Sequence, residues 1–162
     1  MFADISLRAA SIRAFFENPV FMAPFTSLLI AQLLKGLIHV LSGRMKRTRE
    51  LVEIITWRTG GMPSSHASVV CALCVSIAFV EGLKSNMFVL SMWFAMVVLR
   101  DAVGVRRATG LLSKTVNSLG RTIAEKTGAE FHPAKEIKGH TPLEVVVGGL
   151  LGVFVAAGIA LL

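Results

Sequence analysis

Tyrosine is absent from this 162-residue chain, cysteine occurs only twice, and acidic side chains number just 10. Two cysteines exclude a disulfide framework. Cys71 and Cys74 form a Cys-x-x-Cys inside an apolar stretch, with no charge nearby to stabilise a thiolate, so they read as small core residues rather than a redox pair. Charge is scarce altogether, at 17% of residues, while 54% are hydrophobic and the mean hydropathy is +0.68. A soluble domain carries about 25% charged and about 45–50% apolar residues. The start of the chain lacks a compact basic segment followed by a small-residue cleavage site, so no signal peptide is expected. These absences leave one membrane domain over residues 1–162, without room for a second folded unit.

What is present is long apolar runs. A span needs roughly 20 mostly apolar residues, and four windows reach or approach that length: Val20 to Leu41, Ala67 to Leu83, Met87 to about Val103, and Leu143 to Leu162. The expected fold is all-α, a polytopic membrane helical bundle of about four transmembrane helices with interfacial amphipathic helices. Residues 1–17 mix Phe2, Ile5, Leu7, Ile12, Phe15 and Phe16 with charges and suit an interfacial segment. Within the basic loop 104–139, Leu111, Leu112, Val116, Leu119 and Ile123 recur at helical spacing among Lys114, Arg121 and Lys126, as in an amphipathic helix at a membrane surface.

The excess of basic residues, net +7, is unevenly placed. The loop between the first two spans holds Arg44, Lys46, Arg47, Arg49 and Arg58, and that between the last two holds seven more cations from Arg106 to Lys138. The hairpin between spans two and three carries only Glu81 and Lys84. By the positive-inside rule both long loops face the cytoplasm and both termini the opposite side. Anionic headgroups, rather than nucleic acid, are then the nearest partner of the basic loops.

This topology gathers the unusual polar groups at one end of the bundle. Thr59-Gly60-Gly61-Met62-Pro63-Ser64-Ser65-His66 opens the second span: two glycines for a tight turn, Pro63 suited to a first helical turn, then side chains at a helix N-terminus, a natural seat for phosphate. An ordinary helix cap before a span is the plainer alternative. Lys35 lies within the first span, where a cation is expensive and points to a function or a buried partner; snorkelling to the interface is the other option. Gln32 and His39 share that half of the span.

Asp101 closes the third span, with Gly104, Arg106 and Arg107 following. An arginine fork matches phosphate oxygens, although adjacent arginines also anchor helices at headgroup level. Asp101 would orient an arginine or histidine rather than meet an anion itself. At the start of the last span, His140 and Glu144 stand four residues apart, on one helical face. A carboxylate bonded to one imidazole nitrogen fixes the tautomer and raises the basicity of the other, as in an activated nucleophile. A structural ion pair is the rival. Gly148, Gly149 and Gly152 permit close helix contact, within one subunit or between two, so a homo-oligomer stays open.

With these residues in view, the chain resembles the divergent branch of the type-2 phosphatidic acid phosphatase superfamily, related to vanadium haloperoxidases, over about residues 18 to 160. The blocks that carry the resemblance are Thr-Gly-Gly-Met-Pro-Ser-Ser-His at 59–66, Asp-Ala-Val-Gly-Val-Arg-Arg at 101–107 and Gly-His-Thr-Pro-Leu-Glu-Val at 139–145. Ala31-Gln32-Leu33-Leu34-Lys35 and Asn117 also fit. The resemblance implies His66 as general acid, His140 as nucleophile and Glu144 as orienting carboxylate. It implies Lys35, Arg106 and Arg107 as phosphate holders, with Ser64 and Ser65 donating hydrogen bonds. The chain departs from the wider superfamily in four ways: Ser65 stands for its usual glycine and Glu144 for its aspartate, no Lys-x6-Arg-Pro occurs, and no Ser-Arg precedes His140. Within the branch, Arg100 stands for a common tyrosine.

The expected activity is hydrolysis of a lipid phosphate or diphosphate, on an anionic phospholipid or polyprenyl phosphate, through a phosphohistidine and without cofactor or metal. A protein that binds or translocates lipid phosphates without chemistry is the alternative. A metal-dependent enzyme using Asp101, His140 and Glu144 is a weaker third, disfavoured by the cations gathered at the same end.

Overall fold

A computed structural model of the chain describes residues 11–43, 61–134 and 139–162. The described residues form helices joined by turns, with no strand among them. Five long helices follow in order: α1 (Pro19–Leu41), α2 (Ser65–Glu81), α3 (Asn86–Val103), α4 (Val105–Thr127) and α5 (Pro142–Ala160). Residues 11–17 add a short exposed helix before α1, whose Phe15 and Phe16 rings meet Phe21. That is the described part of the expected interfacial segment; its first ten residues lie outside the description.

The helices begin slightly ahead of the apolar runs because polar residues cap them. Asn18, Ser64, Ser85 and Thr141 each accept a backbone N–H of the first turn. Pro19 and Pro142 occupy first-turn positions, where a missing N–H costs nothing. Pro63 does not, contrary to expectation: Ser64 takes the cap, because its N–H is held by the Glu144 carbonyl (3.0 Å) while its hydroxyl accepts from Ala67 N–H (3.4 Å). Pro63 therefore precedes the helix.

Three stretches are long and apolar enough to cross a membrane: Pro19–Leu41, Pro142–Ala160, and Asn86–Thr127, which contains α3. The fourth expected span, α2, has 17 residues. At 1.5 Å per residue that is about 26 Å, short of a bilayer core of about 30 Å. It is also the central helix, packed against α1, α3 and α5, so protein covers much of its surface.

Small residues every fourth position build this centre. Ala23, Ser27, Ala31 and Lys35 form the inner face of α1; Ser64, Ser68, Ala72 and Ser76 that of α2; Gly148, Gly152 and Ala156 that of α5. A Cβ on Gly148 would stand 2.3 Å from the Ser64 carbonyl oxygen, and one on Gly152 would stand 2.1 Å from that of Ser68. The glycines thus let α5 touch the backbone of α2 within one subunit. The Ser27 and Ser68 hydroxyls bond to each other across α1 and α2, and below them Ala23, Ala72 and Ala156 meet.

After α3 the chain bends at Gly104 into α4. The apolar residues expected on one face, Leu111, Leu112, Val116, Leu119 and Ile123, are exposed, as an interfacial helix requires. Another face is covered by the chain that follows. The side chain of buried Asn117 clamps the backbone of Ala134, donating from Nδ2 to its carbonyl (2.9 Å) and accepting its N–H at Oδ1 (2.8 Å). The Phe131 ring lies over Gly120, where a Cβ would meet it at 2.1 Å.

Candidate functional site

The site is built at the end of the bundle where α1 finishes and α2 and α5 begin. On α5, Thr141 and Glu144 form a reciprocal cap: Glu144 N–H donates to Thr141 Oγ1 (3.3 Å), and Thr141 N–H donates to Glu144 Oε2 (3.1 Å). The same Oε2 lies 3.0 Å from His140 Nδ1. A carboxylate is an acceptor only, so this bond places a proton on Nδ1, and in the neutral ring the lone pair is then on Nε2. His140 is 3% exposed, and its ring is thereby held in one orientation away from bulk water.

His66 stands in the first turn of α2, with its ring centroid 6.4 Å from that of His140. The two helix starts are tied together by the bond from Ser64 N–H to the Glu144 carbonyl. Glu144 thus fixes three things: the cap of α5, the imidazole of His140, and through its main chain the turn that carries His66. Ser64 and Ser65 are both buried beside this junction.

Lys35 reaches the same layer from α1. It does not snorkel: only 6% of it is exposed, and it lies in electrostatic range of Glu144. Gly61, at φ +92°, lays the turn before α2 on the lysine stem; a Cβ there would sit 3.7 Å from Lys35 Cγ. One turn deeper on α1, the Gln32 Oε1 is buried with no hydrogen-bond partner among the described residues. His39 is half-buried one turn above.

Lys35, Ser64, Ser65, His66, His140 and Glu144 are therefore brought together. Asp101 is half-buried in the last turn of α3, beside Ala102, which packs on Ala67 and Val145 directly under the two histidines. Arg107 is exposed on the first turn of α4, beyond the Gly104 bend. The Arg106 side chain, Thr59, Gly60, the cations of 44–58, and Lys135 and Lys138 lie outside the described residues. Among the described residues no three His, Cys, Asp or Glu side chains gather as a cation site, so Asp101, His140 and Glu144 do not form the metal centre entertained from the sequence. Cys71 and Cys74, expected in the core, are free and half-buried instead, because α3 and α5 leave part of the surface of α2 uncovered.

Two contributors were not foreseen. Thr141 shares the Glu144 oxygen with His140, and its Thr-x-x-Glu spacing was the visible signal. The Ser27–Ser68 pair supports α1 against α2 below the site, and nothing in the local sequence pairs those two serines.

A helical membrane bundle with two adjacent histidines, a carboxylate behind one of them and a buried lysine defines the class of this protein. The sequence profile of the Divergent PAP2 family matches residues 16–155, and the chain belongs to that family. It is 33% identical over 150 residues to a Bacillus subtilis (strain 168) protein described as "Uncharacterized membrane protein YuiD", covering 86% of this chain and 92% of the relative. No solved structure matches the chain.

Proposed function

We propose that this protein is an integral membrane phosphatase that hydrolyses a lipid phosphate or diphosphate through a phosphohistidine. The observation that carries the proposal is the bond from His140 to Glu144, made beside His66 in a layer that also holds Lys35. His140 Nε2 attacks phosphorus; an N–P bond forms as the bond to the lipid oxygen breaks, and protonated His66 gives its proton to that oxygen. The ring centroids are 6.4 Å apart, near enough for both imidazoles to act on one phosphoryl group. Water then attacks phosphorus, His66 takes its proton, and the N–P bond breaks to release phosphate.

Lys35 supplies positive charge to the phosphoryl oxygens in a site removed from water, where such charge counts most. Ser64 and Ser65 add hydrogen-bond donors at the α2 N-terminus, and Arg106 and Arg107 hold the headgroup where α4 leaves α3. Asp101 orients one of these cations. The excess of basic residues in the two long loops supports a site on the cytoplasmic face, with both termini opposite.

Phosphate release from a panel of lipid phosphates, by purified protein in detergent with chelator present, tests this reading. Release by wild type and none by His140→Ala is the expected result. Saturable binding of the lipids with no release from any of them would instead make the protein a lipid-phosphate binder or translocator.

A further inference from the structure

α4 is a kinked continuation of α3 rather than a separate helix reached by a loop. Gly104 N–H donates to the Arg100 carbonyl (2.8 Å) and Ala108 N–H to the Gly104 carbonyl (2.9 Å), so helical hydrogen bonds run through the bend. Beyond it, α4 meets no described helix except α3. One of its faces is covered by the segment that Asn117 clamps, and its apolar face lies open.

That face is a heptad seam. Val105, Leu112 and Leu119 recur every seven residues, and Thr109, Val116 and Ile123 recur every seven between them, at alternating steps of four and three. As coiled-coil positions, β-branched Thr, Val and Ile occupy a, while Val and two Leu occupy d. Branched residues at a with leucine at d favour two parallel strands. Thr109 does not interrupt the seam, because its hydroxyl donates to the Val105 carbonyl of its own helix (2.8 Å). Beside the seam, Thr115 and Thr122 likewise donate to the carbonyls of Leu111 and Ser118 (3.1 Å each). With these hydroxyls already satisfied, the face can be buried without water.

A bilayer surface would also take up an apolar face. A helix lying on one gains from Lys and Arg beside its stripe, whose heads reach the phosphates, and from Trp or Phe within it. α4 contains no aromatic residue, and no charge borders its seam between Ala108 and Ile123. Arg107, Lys114 and Arg121 stand across the helix from the seam, again seven residues apart. A straight helix drifts about 20° per heptad against such a repeat, a mismatch that winding around a partner removes.

We propose that α4 of a second copy covers this face, so that the protein is a homodimer held by a parallel, in-register pair of α4 helices outside the bilayer. Two copies stand the same way up in one membrane. A two-fold axis along the membrane normal then sets Leu112 against Leu112 and Val116 against Val116. Confinement to one membrane raises their effective concentration and offsets the shortness of the seam. The inference is independent of the phosphatase reading.

Cross-linking tests the pairing. In a Cys71→Ala/Cys74→Ala background, Leu112→Cys, Leu119→Cys and Lys114→Cys proteins in lipid vesicles would be oxidised with copper phenanthroline. Disulfide dimers are expected with Leu112→Cys and with Leu119→Cys, each forming at least about tenfold faster than with Lys114→Cys, which stands too far from its counterpart to bridge. Fast cross-linking at only one seam position would mean a crossed or antiparallel pair, and equal rates at all three would mean random collision. Either result overturns the proposal. No dimers at any position would leave α4 to the bilayer surface and overturn it as well.

A charge exchange adds a second readout. Val116→Glu and Val116→Lys each set like charges together in the seam and should weaken the dimer about a hundredfold or more, read by single-molecule photobleaching in vesicles. The position is exposed in one subunit, so thermal melting of the monomer should be unchanged. Mixed in one membrane, the two variants should pair with each other far more than either pairs with itself. No preference for the mixed pair would refute the contact of Val116 with its counterpart.

Discussion

One oxygen of Glu144 serves His140 and the start of α5 at once: Oε2 lies 3.0 Å from His140 Nδ1 and 3.1 Å from Thr141 N. A reciprocal cap takes Glu or Gln at this position, one methylene longer than aspartate or asparagine. The longer side chain folds back far enough to reach both the cap and the imidazole.

This double duty can be separated by mutation. Glu144→Gln keeps the capping geometry but removes the charge that balances the imidazolium, so the protein should stay folded while kcat falls by about 10²–10⁴-fold. Glu144→Ala should lose the cap as well, at a cost of about 1 kcal/mol or more, and show a lower melting temperature. Phosphate release and thermal melting of the two variants check this; a fully active Glu144→Gln protein would exclude the carboxylate from the chemistry.

The two histidines predict opposite pH limbs. Under the proposed mechanism His140 would attack with a free Nε2 and His66 would donate a proton, so acid would slow the first role and alkali the second. The profile of kcat/KM should therefore be bell-shaped. His66→Ala should lose the alkaline limb and be far more damaging for alkyl phosphates than for p-nitrophenyl phosphate, whose leaving group needs no proton. Equal losses on both substrates would remove His66 from the acid role.

Close helix contact predicts a contrast between two glycines of α5. A Cβ at Gly152 would press on backbone atoms of Ser68 and Ala72, whereas at Gly158 it would meet nothing within 4 Å. Backbone cannot move aside as a flexible side chain can, so Gly152→Ala should destabilise the bundle by about 1–3 kcal/mol. Gly158→Ala should be neutral, or stabilising by about 0.5–1 kcal/mol through helix propensity. Thermal melting of both in one detergent measures the difference.

Asn117 predicts a link between α4 and the site. Its side chain satisfies both backbone groups of Ala134, on the segment that leads to His140. Asn117→Ala removes both bonds to exposed Ala134, each worth about 0.5–1.5 kcal/mol; Asn117→Asp keeps the acceptor and loses the donor. Protection of the Ala134 amide from hydrogen exchange, lost in Asn117→Ala, reports the clamp directly.

Much of the fold was legible from local signals. Apolar runs located α1, α2, α3 and α5, capping residues explain where they start, and the stripe from Leu111 to Ile123 announced α4. The convergence of Lys35, His66 and His140 on one end followed from alternating spans. The limits came where a side chain's meaning depends on its neighbour. Lys35 was also compatible with snorkelling, and the structure decides by burying it and laying Gly61 on its stem. Pro63 looked like a first-turn residue until the Glu144 carbonyl was found to hold Ser64.

The sequence by itself determined a helical membrane bundle with its polar groups at one end, because hydropathy and i,i+4 spacing are properties of a single chain segment. Tertiary structure alone decided which helices touch. Fourfold ladders of Ala, Ser and Gly carry almost no hydropathy signal, yet they set how closely α1, α2 and α5 approach. That approach places His66 beside His140.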